Sequence, residues 1–216
     1  MSKVYEIRRL PEGVGRYELK GVFCPDQLPE EYLALQEAKL DNFPWDENGY
    51  KPETCARVGW NSEGLHVLMY ANEPVIRAEE TEVGGEVCED SCMEFFLMPK
   101  EGNPLYFNAE ITPLPTVHLG IGDGRHNRDV YKEVPAGMNA VSSKHEGAWW
   151  AVSYTIPAAL LKERFDLVLE SGLKMRGNFY KCGDSTQYPH YGMFHPYDLP
   201  AADYHRPELF TDFVTK

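Results

Sequence analysis

The sequence predicts an all-β protein, an antiparallel β-sandwich of immunoglobulin-like or jelly-roll-like form with one or two short helices. Three observations predict it. Runs that alternate between apolar and polar residues recur along the chain, most clearly over 91–98 and 105–112. The 16 prolines and 18 glycines are spread throughout rather than gathered into a linker, marking many turns. Helical patterning is confined to two short stretches, 31–38 after Pro29 and 157–161. Strands at 55–60, 65–71, 91–98, 105–112, 116–120, 149–156 and 173–182, separated by turn-rich segments, suit two packed antiparallel sheets. No repeat or low-complexity tract divides the 216 residues, which are read as one domain, 1–216.

The pair 91–98 and 105–112 flanks Pro99-Lys100-Glu101-Gly102-Asn103-Pro104, which has the composition of a turn, so it reads as a hairpin. A turn centred near Gly102 sets Phe96 opposite Asn108, Glu94 opposite Glu110 and Cys92 opposite Thr112. Met93, Phe95, Leu97, Phe107, Ala109 and Ile111 then fill a core. Asp90, Glu94, Asn108 and Glu110 share the other face with Tyr106. Two carboxylates directly across a ladder repel, so an arginine, a cation, a shared proton or a polar ligand should compensate them. The strand 173–182 alternates too and puts Arg176, Asn178 and Tyr180 on one face. Arg176 is the nearest candidate counter-charge, a contact that is more often structural than functional. In 149–156, Trp149 and Trp150 must point to opposite sides, one into the core and the other onto an outer face.

A net charge of -13 argues against binding nucleic-acid backbone, which needs clustered Lys and Arg. No run is long and apolar enough to span a membrane. The N-terminus lacks an apolar leader core, so a cytoplasmic protein is the default, or a secreted one if a native leader was removed. The five cysteines, Cys24, Cys55, Cys88, Cys92 and Cys182, are odd in number and read as free thiols. Oligomeric state is not legible.

Several stretches resemble the carbohydrate-binding module family 9-like domains, sugar-binding β-sandwiches first recognised attached to xylanases. They are Val58-Gly59-Trp60-Asn61-Ser62-Glu63-Gly64-Leu65-His66-Val67, Asp90-Ser91-Cys92-Met93-Glu94-Phe95-Phe96 and Tyr106-Phe107-Asn108-Ala109-Glu110. The segment 150–157, Gly177-Asn178-Phe179-Tyr180-Lys181-Cys182-Gly183-Asp184 and His205-Arg206-Pro207-Glu208-Leu209-Phe210 follow in order, the last fitting the stand-alone branch. The resemblance implies non-catalytic binding of sugar chain ends in carbohydrate catabolism, and often structural calcium. Aromatic rings would flank the sugar while carboxylate, amide and arginine groups meet its hydroxyls. The sequence departs from the family where a clamping tryptophan precedes the Asp-Ser-x-x-Glu strand: Val87 and Cys88 stand there. Phe194 occupies a late position where tryptophan is usual, so Tyr180, Tyr191 or Phe194 would have to rebuild the clamp.

The expected ligand contacts are Glu94, Asn108, Glu110, Arg125, Arg176, Asn178 and Tyr180, with Tyr191 or Phe194 stacking; Arg128 is a further candidate contact beside Arg125. Two alternatives use the same residues. Glu94 and Glu110 could be the carboxylate pair of a glycoside hydrolase, or the domain could be structural, with sugar binding lost. Cys88 and Cys92 could share a zinc ion, although no further Cys or His pair at suitable spacing completes the set. Calcium is possible in 120–125 or around Asp41, Asn42, Asp46, Glu47 and Asn48, neither with EF-hand spacing. Haem held by His190 and Met193 is a further option, although no attachment signature is present. Thiol titration of the denatured, unreduced protein is expected to count five free thiols; two fewer would mean a disulfide.

Overall fold

The computed structural model describes residues 4–145 and 148–216. Its strands are β1 (Tyr5–Arg9), β2 (Glu37–Lys39), β3 (Glu53–Asn61), β4 (Gly64–Asn72), β5 (Cys92–Met98), β6 (Tyr106–Ile111) and β7 (Val117–Gly122). Then come β8 (Arg128–Val130), β9 (Val141–Lys144), β10 (Trp149–Pro157), β11 (Lys174–Cys182), β12 (Tyr191–Met193) and β13 (Thr211–Thr215). Two α-helices, α1 (Glu30–Leu33) and α2 (Ala158–Phe165), complete the elements that matter here.

One layer runs β8-β7-β6-β5-β11-β13-β1, with β12 beside β11, and the other runs β1-β3-β4-β10-β9, with β2 on β3. The layers share β1: Tyr5 to Ile7 pair with β13, and Arg8 and Arg9 pair with β3. Both of these ladders are parallel, which departs from the all-antiparallel expectation. Gly59 permits the crossing, since a Cβ there would lie 2.7 Å from the Leu10 side chain as the chain leaves β1.

Alternation explains the core. Odd residues of β5 and β6 (Met93, Phe95, Leu97, Phe107, Ala109, Ile111) are fully buried against Val67, Met69, Val152, Tyr154 and Ile156 of the facing sheet. Phe95 stacks on Phe179 with ring centroids 4.8 Å apart, and Tyr5 meets Phe179 edge-on at 5.1 Å. Each such ring contributes about 1.5–3 kcal/mol through burial. The 105–112 register is the one the turn implies: Glu94 pairs with Glu110 and Phe96 with Asn108.

The helix expected over 31–38 is cut to Glu30–Leu33, and Glu37–Lys39 forms an edge strand instead. Tertiary hydrogen bonds win over local periodicity here. Gln36 accepts from the Tyr5 hydroxyl and the Glu6 N–H, while Glu37 accepts from Arg57 and Tyr70. Trp150 is the core member of its pair. Trp149 packs on Tyr70 at 5.7 Å, in a second cluster that Phe23, Leu28 and Tyr32 of the N-terminal segment cover.

One polar cluster lies wholly inside. Lys181 Nζ sits 3.0 Å from Glu73 Oε2 and donates to the Cys182 carbonyl at 2.8 Å. Its third hydrogen reaches His190 Nε2 at 2.7 Å. Glu73 also accepts from Trp150 Nε1 (2.7 Å) and the Ser91 hydroxyl (2.8 Å). His190 Nδ1 lies 2.8 Å from the Tyr188 carbonyl, so the neutral ring donates there and accepts from Lys181 at Nε2. Burial, with Lys181 adding to it, pushes the imidazole down to about 3. His190 is therefore fully engaged and Met193 is buried, which removes the His190–Met193 pair as a haem-binding set.

Removing one member of this cluster strands a buried charge. Lys181→Met is expected to cost about 3–5 kcal/mol in urea denaturation, and the Glu73→Gln/Lys181→Met double variant to recover most of it. His190 titrates from near 6.5 unfolded to about 3 folded, so the unfolded state binds more protons between those values. Its contribution is complete above pH 6.5 and drains as pH falls towards 3, by up to about 1.4 kcal/mol per pH unit. The stability difference between wild type and His190→Gln should shrink over that window; a pH-independent difference would refute the assignment.

Candidate functional site

Because β5 and β11 pair with Glu94 opposite Tyr180 and Cys92 opposite Cys182, their even residues project away from the core on the same side. β6 adds Asn108 and Glu110 beside them. Loops close over this face and leave a pocket of about 180 Å³. Glu94, Glu110, Cys182 and Phe96 line it from the sheet. Cys88, Arg125, Asp184 and Tyr191 line it from neighbouring loops and β12, and Ala202 to His205 line it from the C-terminal loop.

The carboxylate pair resolves its repulsion through a proton. Glu94 is 2% exposed, and burial, with Glu110 second, raises its carboxyl well above the usual range. A neutral Glu94 accepts from Cys182 Sγ at 2.8 Å. Glu110 instead accepts from Asn108 Nδ2 at 2.6 Å. Asn108 is held in turn by Arg128, which donates to its Oδ1, to the Gly120 carbonyl (3.0 Å) and to the Tyr106 carbonyl (3.3 Å). The guanidinium lies 4.3 Å over the Tyr106 ring. Gly120 makes room for this, since a Cβ there would sit 2.6 Å from Asn108 Oδ1 and 3.0 Å from Arg128 Nε. Asp184 is exposed at the rim, and partial desolvation, then Glu89 and Glu110, push its carboxyl up. His205 is pushed down to about 3 by burial and the nearby Arg128 and Arg125, and so stays neutral. Its Nδ1 meets the Tyr106 hydroxyl at 2.7 Å and its ring packs on Phe96 at 5.0 Å, sealing that end of the floor.

Of the expected contact residues, the pocket gathers Glu94, Glu110, Arg125 and Tyr191, with Asn108 directly behind Glu110. Arg125 is tied to Asp203 at 2.7 Å. Tyr180 faces the correct side, but Tyr204 stacks over it at 3.9 Å and 14°, so Tyr204 rather than Tyr180 reaches the pocket. Three residues do not belong. Arg176 donates to the Glu208 and Phe210 carbonyls, lies opposite Met98 of β5 and Asp212 of β13, and offers Glu94 no counter-charge. Asn178 is buried with its amide spent on the His195 backbone and the Phe179 N–H. Phe194 is 1% exposed in the main core against Tyr5 and Phe179, so no ring face is free for stacking. Asp90 also differs: Arg77 and the N–H groups of Glu79 and Glu80 hold it as a buried loop anchor.

The contacts not anticipated include Cys182, Asp184, Asp203, Tyr204 and His205. Asp184 had a signal, one residue beyond Gly183 at the end of an alternating strand. The C-terminal loop had none in periodicity, because only tertiary packing brings it back over β5 and β11.

The candidate calcium loops are self-satisfied. Asp46 accepts from the N–H groups of Asn48 and Gly49 and pairs with Lys51, and Asp123 accepts from Asn127. Among the described residues, no group of three or more Asp, Glu, His or Cys side chains converges at either loop.

Against known proteins, the sequence matches the model of carbohydrate-binding family 9 over residues 23–214. The chain belongs to that family. No curated protein matches it at the sequence level. Its structure is similar to a candidate carbohydrate-binding protein from Bacteroides uniformis (24% identity, TM-score 0.81, all of both chains covered). It is also similar to a family 9 module from Caldicellulosiruptor kristjanssonii in complex with cellotriose, at 9% identity and TM-score 0.65, covering 99% of this chain and 94% of that one. The glucose complex of a family 9 module from that organism gives 9% identity and TM-score 0.61, with 99% and 96% covered. At these identities the structures establish the shared β-sandwich.

In this family 9 chain, Arg128 orients Asn108 and through it Glu110. Arg128→Met is expected to destabilise the fold by about 1–3 kcal/mol, because buried carbonyls lose their donor. Arg128→Lys should not restore it in urea denaturation, since one ammonium cannot serve the acceptors around Nη2, reach the Gly124 carbonyl that Nη1 holds and lie flat over the Tyr106 ring. Full rescue by lysine would overturn the orienting role.

Proposed function

We propose that this protein binds carbohydrate without cleaving it, seating a single terminal sugar ring in the pocket over Glu94 and Glu110. The observation that carries this reading is the chemistry of the pocket in a family 9 chain: neutral Glu94 as donor, oriented Glu110 and Asp203 as acceptors, Arg125 as a further donor, and the Tyr191 and Tyr204 rings at the side. A pyranose offers the complementary set, with hydroxyls around its rim and an apolar face for an aromatic ring. The family 9 modules from Caldicellulosiruptor kristjanssonii in complex with cellotriose and glucose support the ligand class.

A binding role is favoured over hydrolysis by the size of the site. A glycosidase must hold sugar on both sides of the scissile bond, with a carboxylate on each face of the reacting centre. Here both carboxylates rise from adjacent strands at one end of a pit of about 180 Å³, which favours one ring over a bond between two.

Isothermal titration with a panel of monosaccharides and oligosaccharides should find binding to at least one of them, and Glu110→Gln should weaken it by about 1.5–3 kcal/mol, the worth of a hydrogen bond to a charged group. Melting temperature should change little. The same panel incubated with the protein should release no reducing sugar. Turnover, or unchanged affinity in Glu110→Gln, would defeat the proposal.

A further inference from the structure

The strand pairing that builds the pocket also assembles a second kind of chemistry on its floor. Cys92 and Glu94 are two apart on β5 and share a face, while Cys182 on β11 lies directly opposite Cys92. The Sγ atoms of Cys92 and Cys182 and a carboxylate oxygen of Glu94 all lie within 4.8 Å of one another. All three residues are at most 2% exposed. In a hydrophobic sandwich that is an unusual use of three neighbouring positions, because aliphatic side chains would pack there at no polar cost. Cys88 is not needed for the cluster. The partner for Cys92 comes from 90 positions further along the chain, which is why sequence spacing could not complete the set.

We propose that Cys92, Cys182 and Glu94 form a binding site for a thiophilic divalent cation, Zn²⁺ being the representative, with its fourth position open to the pocket. Zinc takes thiolate at about 2.3 Å and carboxylate oxygen at about 2.0–2.2 Å, so three donors already clustered this closely need only side-chain adjustment to converge on one ion. Two sulfur donors select against calcium and magnesium, which prefer all-oxygen shells. On binding, the thiol protons of Cys92 and Cys182 and the carboxyl proton of Glu94 leave to solvent, and the three anionic ligands share the ion's charge. Entry is through the pocket, which Cys182 and Glu94 line directly. The fourth position then faces the space proposed above for a sugar ring, open to water or a ligand hydroxyl.

The metal proposal does not depend on carbohydrate binding, and its test uses sugar-free protein. Full-length protein is stripped with a chelator, kept under a non-coordinating phosphine reductant, and titrated with Co²⁺ as a spectroscopic stand-in for Zn²⁺. Expected are a one-to-one complex, a near-ultraviolet thiolate-to-cobalt charge-transfer band, visible bands of tetrahedral intensity, and displacement of both by Zn²⁺. Cys182→Ser should lower affinity at least tenfold and cut the charge-transfer intensity by about half, whereas Cys24→Ser, at a distant position, should change neither. As a second readout, Zn²⁺ should raise the melting temperature of the stripped wild-type protein and leave that of Cys182→Ser unchanged. Absence of a thiolate band, or equal thermal shifts in wild type and Cys182→Ser, would overturn the site.

Discussion

The buried pair of Lys181 and Glu73 is the constraint on which the site depends. It joins β11 in one layer to the end of β4 in the other, at 3.0 Å and with neither side chain exposed. Such a pair is an expensive way to hold two sheets together, since several kcal/mol of desolvation per ion must be offset by the local partners. Those partners are present. Every hydrogen of the ammonium is directed at an acceptor, and Glu73 receives Trp150 and Ser91 as well. What the pair specifies beyond stability is register. A slip of one residue in β11 would turn Lys181 out and drive Tyr180 and Cys182 inwards, exchanging core and site in one step.

That parity accounts for the pocket. With Lys181 and Phe179 pointing in, Tyr180 and Cys182 must point to the other face, where they meet Glu94 and Cys92 of β5. β6 then adds Glu110 next to Glu94, and the cost of placing two carboxylates together is met by a proton on one and an oriented amide on the other. The pair is thus unsymmetrical by construction. Cys182 holds one member in a dry environment, while the Arg128–Asn108 chain aligns the other.

Much of this was legible in the sequence wherever one physical rule acted alone. The hairpin register followed from a turn centred near Gly102 and a period of two, so the Glu94–Glu110 opposition could be read without coordinates. Trp150 and Trp149 divided between core and outer face for the same reason. Legibility failed where tertiary contacts decided. The segment 31–38 has apolar spacing that suits a helix, yet hydrogen bonds from Tyr5, Glu6 and Arg57 to Gln36 and Glu37 draw its end into an edge strand. β1 and β13 are short, and their pairing is parallel and joins opposite ends of the chain. Arg176 and Asn178 share parity with the site, but parity fixes only a face, not a position along it. They lie towards the other end of β11, where the 195 and 208–210 backbone takes up their donors. Phe194 was assigned by analogy of position, and that does not reveal which way a residue after a three-residue strand will turn.

The aromatic contribution shows how the same site chemistry can be kept with different residues. Tyr180 is the ring that β11 supplies to the pocket face, but the C-terminal loop lays Tyr204 flat upon it at 3.9 Å. Trp45 then packs on Tyr204 and Tyr197 and donates to the Leu199 carbonyl, pinning the loop in place. Tyr180 has become the support of an aromatic surface rather than the surface itself. A stacked support fixes the outer ring more firmly than a lone exposed side chain would be fixed, so less rotamer entropy remains to be lost when a ligand packs against it. The absence of tryptophan at 87 and 88 therefore does not by itself remove the aromatic component: the polar set stays on β5 and β6, and the rings come from the C-terminal loop and β12.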